Sequence, residues 1–248
     1  KCRKRIQELK ERGTSILLVS HSIEQVQAIC SRAIWLEKGV VQMDGPCRAV
    51  AGAYVRREEG RAAGKEAKEA TFDIVVPLYR TPLPYLDAMI RSVQEQAYDK
   101  WKLYLSDGSG EESPLEEILE DYHSQDERIH IIQNHCRLRA PENTNRALAQ
   151  AEGDYVVLLG HDDTLPPEAL AECAKAILRC PEAELLYTDA DKITEDGREY
   201  CQPCRKTGFN LDLLRSYNYI GHLLVIRKDL RQKTGYMDPE YDGAQDYD

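Results

Sequence analysis

Apolar and polar positions divide the chain into two differently patterned parts. From Phe72 onward, short apolar runs alternate with helix-spaced stretches. Phe72-Asp73-Ile74-Val75-Val76-Pro77 reads as a short buried strand stopped by proline, and residues 86–96 carry Leu86, Met89, Ile90 and Val93 at the spacing of an amphipathic helix. Strands are predicted next over residues 101–105 and 129–132, with helices over 114–122 and 143–151. Residues 155–159 form a continuous apolar run, as expected of a strand buried on both faces, and Pro166-Pro167-Glu168 before an Ala/Leu-rich segment marks a helix start. Strand and helix alternate with short connections. This predicts a largely parallel α/β sheet whose loops collect on one edge, with Tyr79, Asp107 and Asp162 all on that edge.

The first part reads differently. Ile6 and Leu9 in a charged background suggest an exposed amphipathic helix closed by Gly13, followed by the β-rich run Ser15-Ile16-Leu17-Leu18-Val19. A second helix passes through Val26 and Ile29. Residues 33–37 and 40–43 form a predicted hairpin about Lys38-Gly39, and Gly45-Pro46 starts a last helix through Tyr54. Residues 56–71 are charged and have no apolar stripe to pack, although their Glu/Lys spacing allows some helix. The expected division is a first segment over 1–56, a charged linker over 57–71 and a second domain over 72–248.

Composition adjusts this picture in three places. A chain of 248 residues with 42% hydrophobic content can bury a core. The formal charge of −10 argues against nucleic acid, because phosphate binding needs a basic face and none is concentrated here. No apolar run approaches the length of a membrane span and no signal peptide is recognisable, so nothing in this sequence is expected to cross a membrane. The eight cysteines are irregularly spaced, as in cytosolic proteins. Cys201-Gln202-Pro203-Cys204 has neither a second pair nor a histidine at zinc-ligand spacing. The chain opens at Lys1 within a helical pattern and stops at Asp248 within an acidic cluster, so both ends are expected to be cut points.

Candidate chemistry concentrates on the loop after residues 155–159. In open α/β sheets ligands bind at the carboxyl ends of the strands, and the adjacent carboxylates of Asp162 and Asp163 suit a hard divalent cation holding a diphosphate. An Asp-rich turn that caps the next helix is the other reading. Tyr79 is placed to lie against a base or ribose, and Asp107 to accept a hydrogen bond from a pyrimidine N–H. Each also reads singly as a packed aromatic or a turn aspartate. Their convergence on one sheet edge favours the site.

Two resemblances add to this reading. Ser15-Ile-Leu-Leu-Val-Ser-His-Ser22, with Cys30-Ser-Arg-Ala-Ile-Trp-Leu-Glu-Lys-Gly39 and Asp44-Gly45, resembles the C-terminal end of an ABC-transporter ATPase, most closely those that export O-antigen and other polysaccharides. The resemblance makes His21 the switch-loop histidine that senses the γ-phosphate of ATP. No Gly-x-x-x-x-Gly-Lys-Ser/Thr phosphate loop is present, so this sequence is not expected to hydrolyse ATP alone. From residue 72, Val75-Val-Pro-Leu-Tyr79, Gln96-Ala-Tyr98, Asp107-Gly-Ser109, Asn143-Thr-Asn-Arg-Ala-Leu148 and His161-Asp162-Asp163 are similar to family 2 inverting glycosyltransferases of GT-A fold. Tyr187-Thr-Asp-Ala-Asp-Lys192, Asn218-Tyr219-Ile220 and Gly243-Ala-Gln-Asp-Tyr-Asp248 extend the likeness toward rhamnosyltransferase-like members.

That resemblance implies site residues and partners. Pro77 and Tyr79 fall in the nucleotide-contacting first loop, Asp107 matches the base-reading carboxylate, and Asn145, His161 and Asp163 join the nucleotide-sugar site. Asp162 matches the metal-binding end of the Asp-x-Asp motif, with Mg²⁺ or Mn²⁺ as cofactor. Asp189 and Asp191 line the donor or acceptor cleft, and Asp246 is the catalytic base. Three features depart from the family pattern: Gly160 where the first aspartate usually stands, Ser106 in place of an aspartate, and Cys136-Arg-Leu-Arg139 in place of a glycine-bearing loop. The expected activity is inverting transfer from a UDP- or TDP-sugar to a glycan or lipid-linked acceptor in bacterial surface-polysaccharide synthesis. It would take place in the cytoplasm at the inner membrane face, through peripheral association, with a transporter membrane subunit as a further partner. The alternative is a polysaccharide-export ATPase part whose attached domain binds glycan without catalysis.

Overall fold

The computed structural model describes residues 17–19, 23–37, 39–63, 69–111, 113–194, 197 and 199–244. The chain separates into two compact units, residues 1–67 and 68–248.

In the first unit, α1 (Ile23–Ile29) precedes an antiparallel hairpin of β1 (Arg32–Glu37) and β2 (Val40–Pro46), and α2 (Cys47–Ala63) follows. Gly39, with φ of +81°, makes the turn. Alternation along β1 turns Trp35 inward, where its ring meets Tyr54 edge-on at 5.4 Å and the Arg57 guanidinium lies 4.9 Å from the ring centre. Arg57 also pairs with Glu37 at 2.7 Å. These contacts carry the helix past Tyr54, so the stretch expected to be a linker from residue 57 is helical to Ala63, its Arg, Glu and Ala being strong helix formers. The run expected to be β-rich at Ser15–Val19 is not a strand over the described residues 17–19, where Leu17 and Val19 are exposed. Without a paired neighbour an apolar run has no ladder to join.

The second unit is a three-layer α/β structure. Its six-stranded sheet has the order β5-β4-β3-β6-β10-β7, from β3 (Phe72–Leu78), β4 (Trp101–Asp107), β5 (Ile129–Gln133), β6 (Tyr155–Leu158), β7 (Leu185–Tyr187) and β10 (Leu224–Arg227). A separate hairpin joins β8 (Ala190–Ile193) to β9 (Tyr200–Cys204). Strands β5, β4, β3 and β6 are parallel, as their apolar runs predict. One face packs on α3 (Leu83–Gln94), α4 (Glu116–Gln125) and α6 (Ala169–Arg179), burying Ile74, Val76, Leu103, Leu105 and Val157 against Leu86, Met89, Leu119 and Leu170. The other buries Val75, Tyr104 and Val156 against Ala147 and Leu148 of α5 (Ala140–Leu148).

Two polar devices fix the frame. At the amino edge of the sheet, the buried Asp73 carboxylate accepts from the N–H groups of Glu152 and Gly153 at 2.6 and 2.7 Å, shaping the turn into β6. A Cβ at Gly153 would lie 2.9 Å from that carboxylate, which explains the glycine. On the helical side, the buried Gln96 donates to the carbonyls of Ser92 and Pro166 and accepts from Leu170 N–H. Gln96 thus pins the turn over residues 166–169, in which Ala169 N–H donates to Pro166 O at 3.0 Å, and the helix begins at Ala169, directly after Pro166-Pro167-Glu168.

Strand β10 departs from the parallel expectation: it runs antiparallel to both β6 and β7, with Leu224 opposite Leu158 and Tyr187. Its amino end therefore reaches the carboxyl edge of the sheet, and residues 221–223 join the loops there.

Candidate active site

Strand order reverses at β3. The chain moves outward from β3 to β4 and β5, then returns to place β6 on the other side of β3. The crevice between the carboxyl ends of β3 and β6 is where such sheets take ligands. A cleft of about 940 Å³ opens there, lined by Pro77 of β3 and Tyr79 just after it, by Gly160, His161 and Asp162 after β6, and by residues 221–222 before β10.

A buried network sets the rim of this cleft. The Asn143 amide near the start of α5 donates to Leu78 O at 2.9 Å and accepts from Ser106 Oγ at 2.7 Å, while Asn134 Nδ2 donates to Ser106 Oγ at 3.1 Å. Three strand ends and one helix are thus joined by side chains that are almost wholly buried at Ser106 and Asn143. A Cβ on Gly108 would come within 2.8 Å of the Asn143 amide, so glycine is required. Ser106, which stands where an aspartate was expected, is the hydroxyl this network needs.

The loop after β6 has an equally specific shape. Asp163 N–H donates to Gly160 O, and Asp163 Oδ2 accepts from Gly160 N–H, both at 3.2 Å. His222 Nδ1 lies 3.4 Å from the same carboxylate oxygen. A Cβ at Gly160 would sit 2.6 Å from Asp163 Oδ2 and 3.2 Å from Asp162 Oδ1. The carboxylate of Asp163 therefore occupies the volume that a side chain at position 160 would fill. Among the described residues no three or more His, Cys, Asp or Glu side chains assemble into a metal cage.

The other sequence-derived candidates distribute as follows. Tyr79 is about half exposed at the cleft mouth, and Arg80 behind it adopts φ of +47° while its N–H donates to Ser109 Oγ at 2.9 Å. Asp107 is buried and turned to its own loop, accepting from Ser109 N–H at 2.9 Å and from Ser113 Oγ. It lines a smaller recess of about 190 Å³ with Asn134 and His135, outside the main cleft. Asn145 is not among the residues lining the cleft. Its amide donates to Met237 O at 2.8 Å and accepts from Met237 N–H at 2.9 Å, holding the cleft wall at residues 235–237. Asp189 accepts from Lys206 N–H at 2.7 Å and pairs with Arg205 at 3.3 Å. Asp191 is exposed on β8. His21 and Asp246 lie outside the described residues.

Several contributors were missed by sequence reasoning. Arg137 and Arg139 line the cleft from the loop before α5, and Arg139 pairs with Asp242 at 3.8 Å. Tyr236 and Met237 line it as well. Lys206 Nζ donates to the carbonyls of Ile220 and His222, and burial holds its ammonium below the usual lysine range. Beside it, Tyr187 donates to Thr207 O at 2.9 Å and meets Tyr219 edge-on, burial and the Tyr219 hydroxyl pushing its phenol up to about 12. The two arginines stood in the Cys136-Arg-Leu-Arg139 segment as a usable charge signal. Lys206 carried none, because its partners are backbone carbonyls.

Comparisons with known proteins bear on the family and the fold. The model of glycosyl transferase family 2 matches residues 73–235. The chain is 37% identical over 175 residues to the uncharacterized protein y4gI of Sinorhizobium fredii, covering 71% of this chain and 19% of that protein. It is 33% identical over 187 residues to the O-antigen biosynthesis protein RfbC of Myxococcus xanthus, covering 75% and 15%. The chain thus spans less than a fifth of the length of these relatives. A 54-residue stretch, 22% of this chain and 16% of the relative, is 43% identical to the teichoic acids export ATP-binding protein TagH of Listeria innocua. Among solved structures, S. aureus TarS 1-349 in complex with UDP superposes with a TM-score of 0.58 at 22% identity, over 71% of this chain and 53% of that one. The mannosyltransferase PcManGT of Pyrobaculum calidifontis, in complex with GDP-Man and Mn²⁺, gives 0.53 at 18% identity over 79% and 56%. The fold of the second unit is that of GT-A glycosyltransferases.

Proposed function

The chain belongs to glycosyl transferase family 2, and from that premise we propose that its second unit transfers a sugar from a nucleotide-sugar donor to a glycan or lipid-linked acceptor, with inversion, during bacterial surface-polysaccharide assembly. The observation that carries this reading is the meeting of Tyr79, His161 and Asp162 in one cleft at the strand-order reversal. The likeness to an O-antigen biosynthesis protein supports the pathway, and the UDP and GDP-Man complexes of the structural neighbours support a nucleoside-diphosphate donor.

In this reading Tyr79 packs against the nucleoside, and Arg137 and Arg139 offer guanidinium donors to its phosphates. Asp162, with Asp163 beside it, would hold Mg²⁺ or Mn²⁺, since one or two protein carboxylates suffice for such a cation beside a diphosphate. Bound there, the cation supplies charge neutralisation for the diphosphate. Asp246 accepts the proton of the acceptor hydroxyl as its oxygen bonds to the anomeric carbon, and the bond from that carbon to the diphosphate oxygen breaks. The first unit is assigned to the end of an export ATPase, so that synthesis and export act on one lipid-linked glycan at the inner membrane face. The 54-residue similarity to an export ATP-binding protein supports it. Among the described residues no helix is long and apolar enough to cross a membrane.

The test is a product assay with UDP-, TDP- and GDP-sugars, each with and without Mn²⁺, on the whole protein that contains this chain. Release of a nucleoside diphosphate dependent on acceptor is expected. Binding without release would sink the catalytic assignment and favour a glycan-binding module.

A further inference from the structure

Lys206 lies behind the cleft wall and is not among the residues lining the cleft. Its N–H donates to Asp189 Oδ1 at 2.7 Å, anchoring it at the carboxyl end of β7. Its ammonium, half-buried, donates to two carbonyls of one short segment, Ile220 and His222. Thr188 holds the next residue, accepting from Leu223 N–H at its hydroxyl and donating its own N–H to Leu223 O, each at 3.3 Å. An ammonium taken from water is costly unless its protons are used, so this arrangement favours one loop conformation strongly. The imidazole of the same His222 reaches Asp163 Oδ2, the oxygen also bonded by Gly160 N–H. A continuous chain of contacts thus runs from Asp189 through Lys206, the 220–222 segment and His222 to the loop that carries Asp162.

We propose that Lys206 is a positioning residue, which presents His222 to Asp163 and so holds the site loop in its ligand-binding shape. This rests on the assignment of that loop to the donor diphosphate. Lysine is suited to the task because its compact ammonium can serve two carbonyls of one turn from the rear, where a planar guanidinium would need a different spacing. Of the two carbonyls released by its removal, that of the exposed His222 can take water, while that of the buried Ile220 loses its partner, so the loss falls first on the placement of this segment.

Two measurements on the full chain test this. In the free protein, Lys206→Met should raise hydrogen–deuterium exchange in segments 160–164 and 220–224 about tenfold, leaving β3 and α6 unchanged. Calorimetric titration with UDP, TDP and GDP in Mn²⁺ should show the nucleotide bound by the wild type about tenfold weaker in Lys206→Met, and only partly recovered by Lys206→Arg, which keeps the charge but not the spacing. Because Lys206 acts through His222, the double variant Lys206→Met/His222→Asn should be no weaker than its weaker parent. Unchanged exchange, additive losses in the double variant, or a uniform rise in exchange across all strands would overturn the proposal. Should the wild type bind no nucleoside diphosphate, the donor-site assignment falls, and the exchange measurement alone decides whether Lys206 holds the loop.

Discussion

Replacing Gly160 by alanine separates the stability of the site loop from its ligand chemistry. The new Cβ would lie 2.6 Å from Asp163 Oδ2, so that oxygen must retreat by about 0.8 Å to reach an ordinary contact. The oxygen is the far end of a short side chain with solvent on one flank, and it can swing. Its departure loses the 3.2 Å hydrogen bond from Gly160 N–H and the contact with His222, of which the hydrogen bond is worth about 0.5–1.5 kcal/mol. Alanine recovers about 0.4–1 kcal/mol by restricting the unfolded chain, since Gly160 is not held at a positive φ. The two terms nearly cancel. A melting temperature within about 4 °C of wild type is expected for a unit of this size. Ligand chemistry should respond far more, because a carboxylate displaced by about 1 Å can cost up to 100-fold where geometry matters. The assay pairs thermal unfolding without ligand against calorimetric titration of the best-bound nucleoside diphosphate in Mn²⁺, with Asp162→Asn as the reference for a lost carboxylate. At least a tenfold weakening at near-native stability is expected. Native affinity in Gly160→Ala would refute the claim that Asp163 takes the space of position 160 for a purpose. A large loss of stability would show that the glycine serves the backbone instead.

Other substitutions probe the frame and the chemistry. Asn143→Ala removes two buried hydrogen bonds, leaving Leu78 O with the Gly108 N–H and Ser106 Oγ with Asn134 alone, so urea unfolding should show a loss of about 1–3 kcal/mol. Asn145→Ala removes both bonds to Met237 at a partly buried position, and a smaller loss of about 1–2 kcal/mol should accompany faster exchange at residues 235–238. Asp246→Asn should abolish transfer in the whole protein while nucleotide affinity stays within about twofold, and preserved turnover would remove Asp246 from the mechanism.

The parallel half of the sheet was readable because strands buried on both faces have few alternatives: Phe72, Ile74, Val75, Val76 and Leu78 are all fully buried, and no amphipathic helix tolerates such a run. The site loop followed from it, since the end of β6 dictates where residues 160–163 stand. Three kinds of information were not legible. The direction of β10 is one, because a run of three apolar residues looks the same read either way. Polar pairing over long separation is another: Asn145 resembled a substrate contact, but its partner is a backbone segment 92 positions away. The third is side-chain orientation. Asp107 sits at the expected strand end with its carboxylate committed to Ser109 and Ser113. In the first unit, Ser15–Val19 had strand composition, but composition does not supply a neighbouring strand.

The reversed direction of β10 also makes the site a report on pairing. His222 stands two residues before Leu224, and Leu224 is fixed opposite Leu158 at the end of β6. A slip of one residue along that ladder would move His222 by about 3.3 Å and turn the buried Val225 to the opposite face. The contact between His222 and Asp163 would then be lost. Strands β10 and β6 therefore complete the loop only when correctly aligned, so a misregistered chain loses the shape of this loop together with its stability.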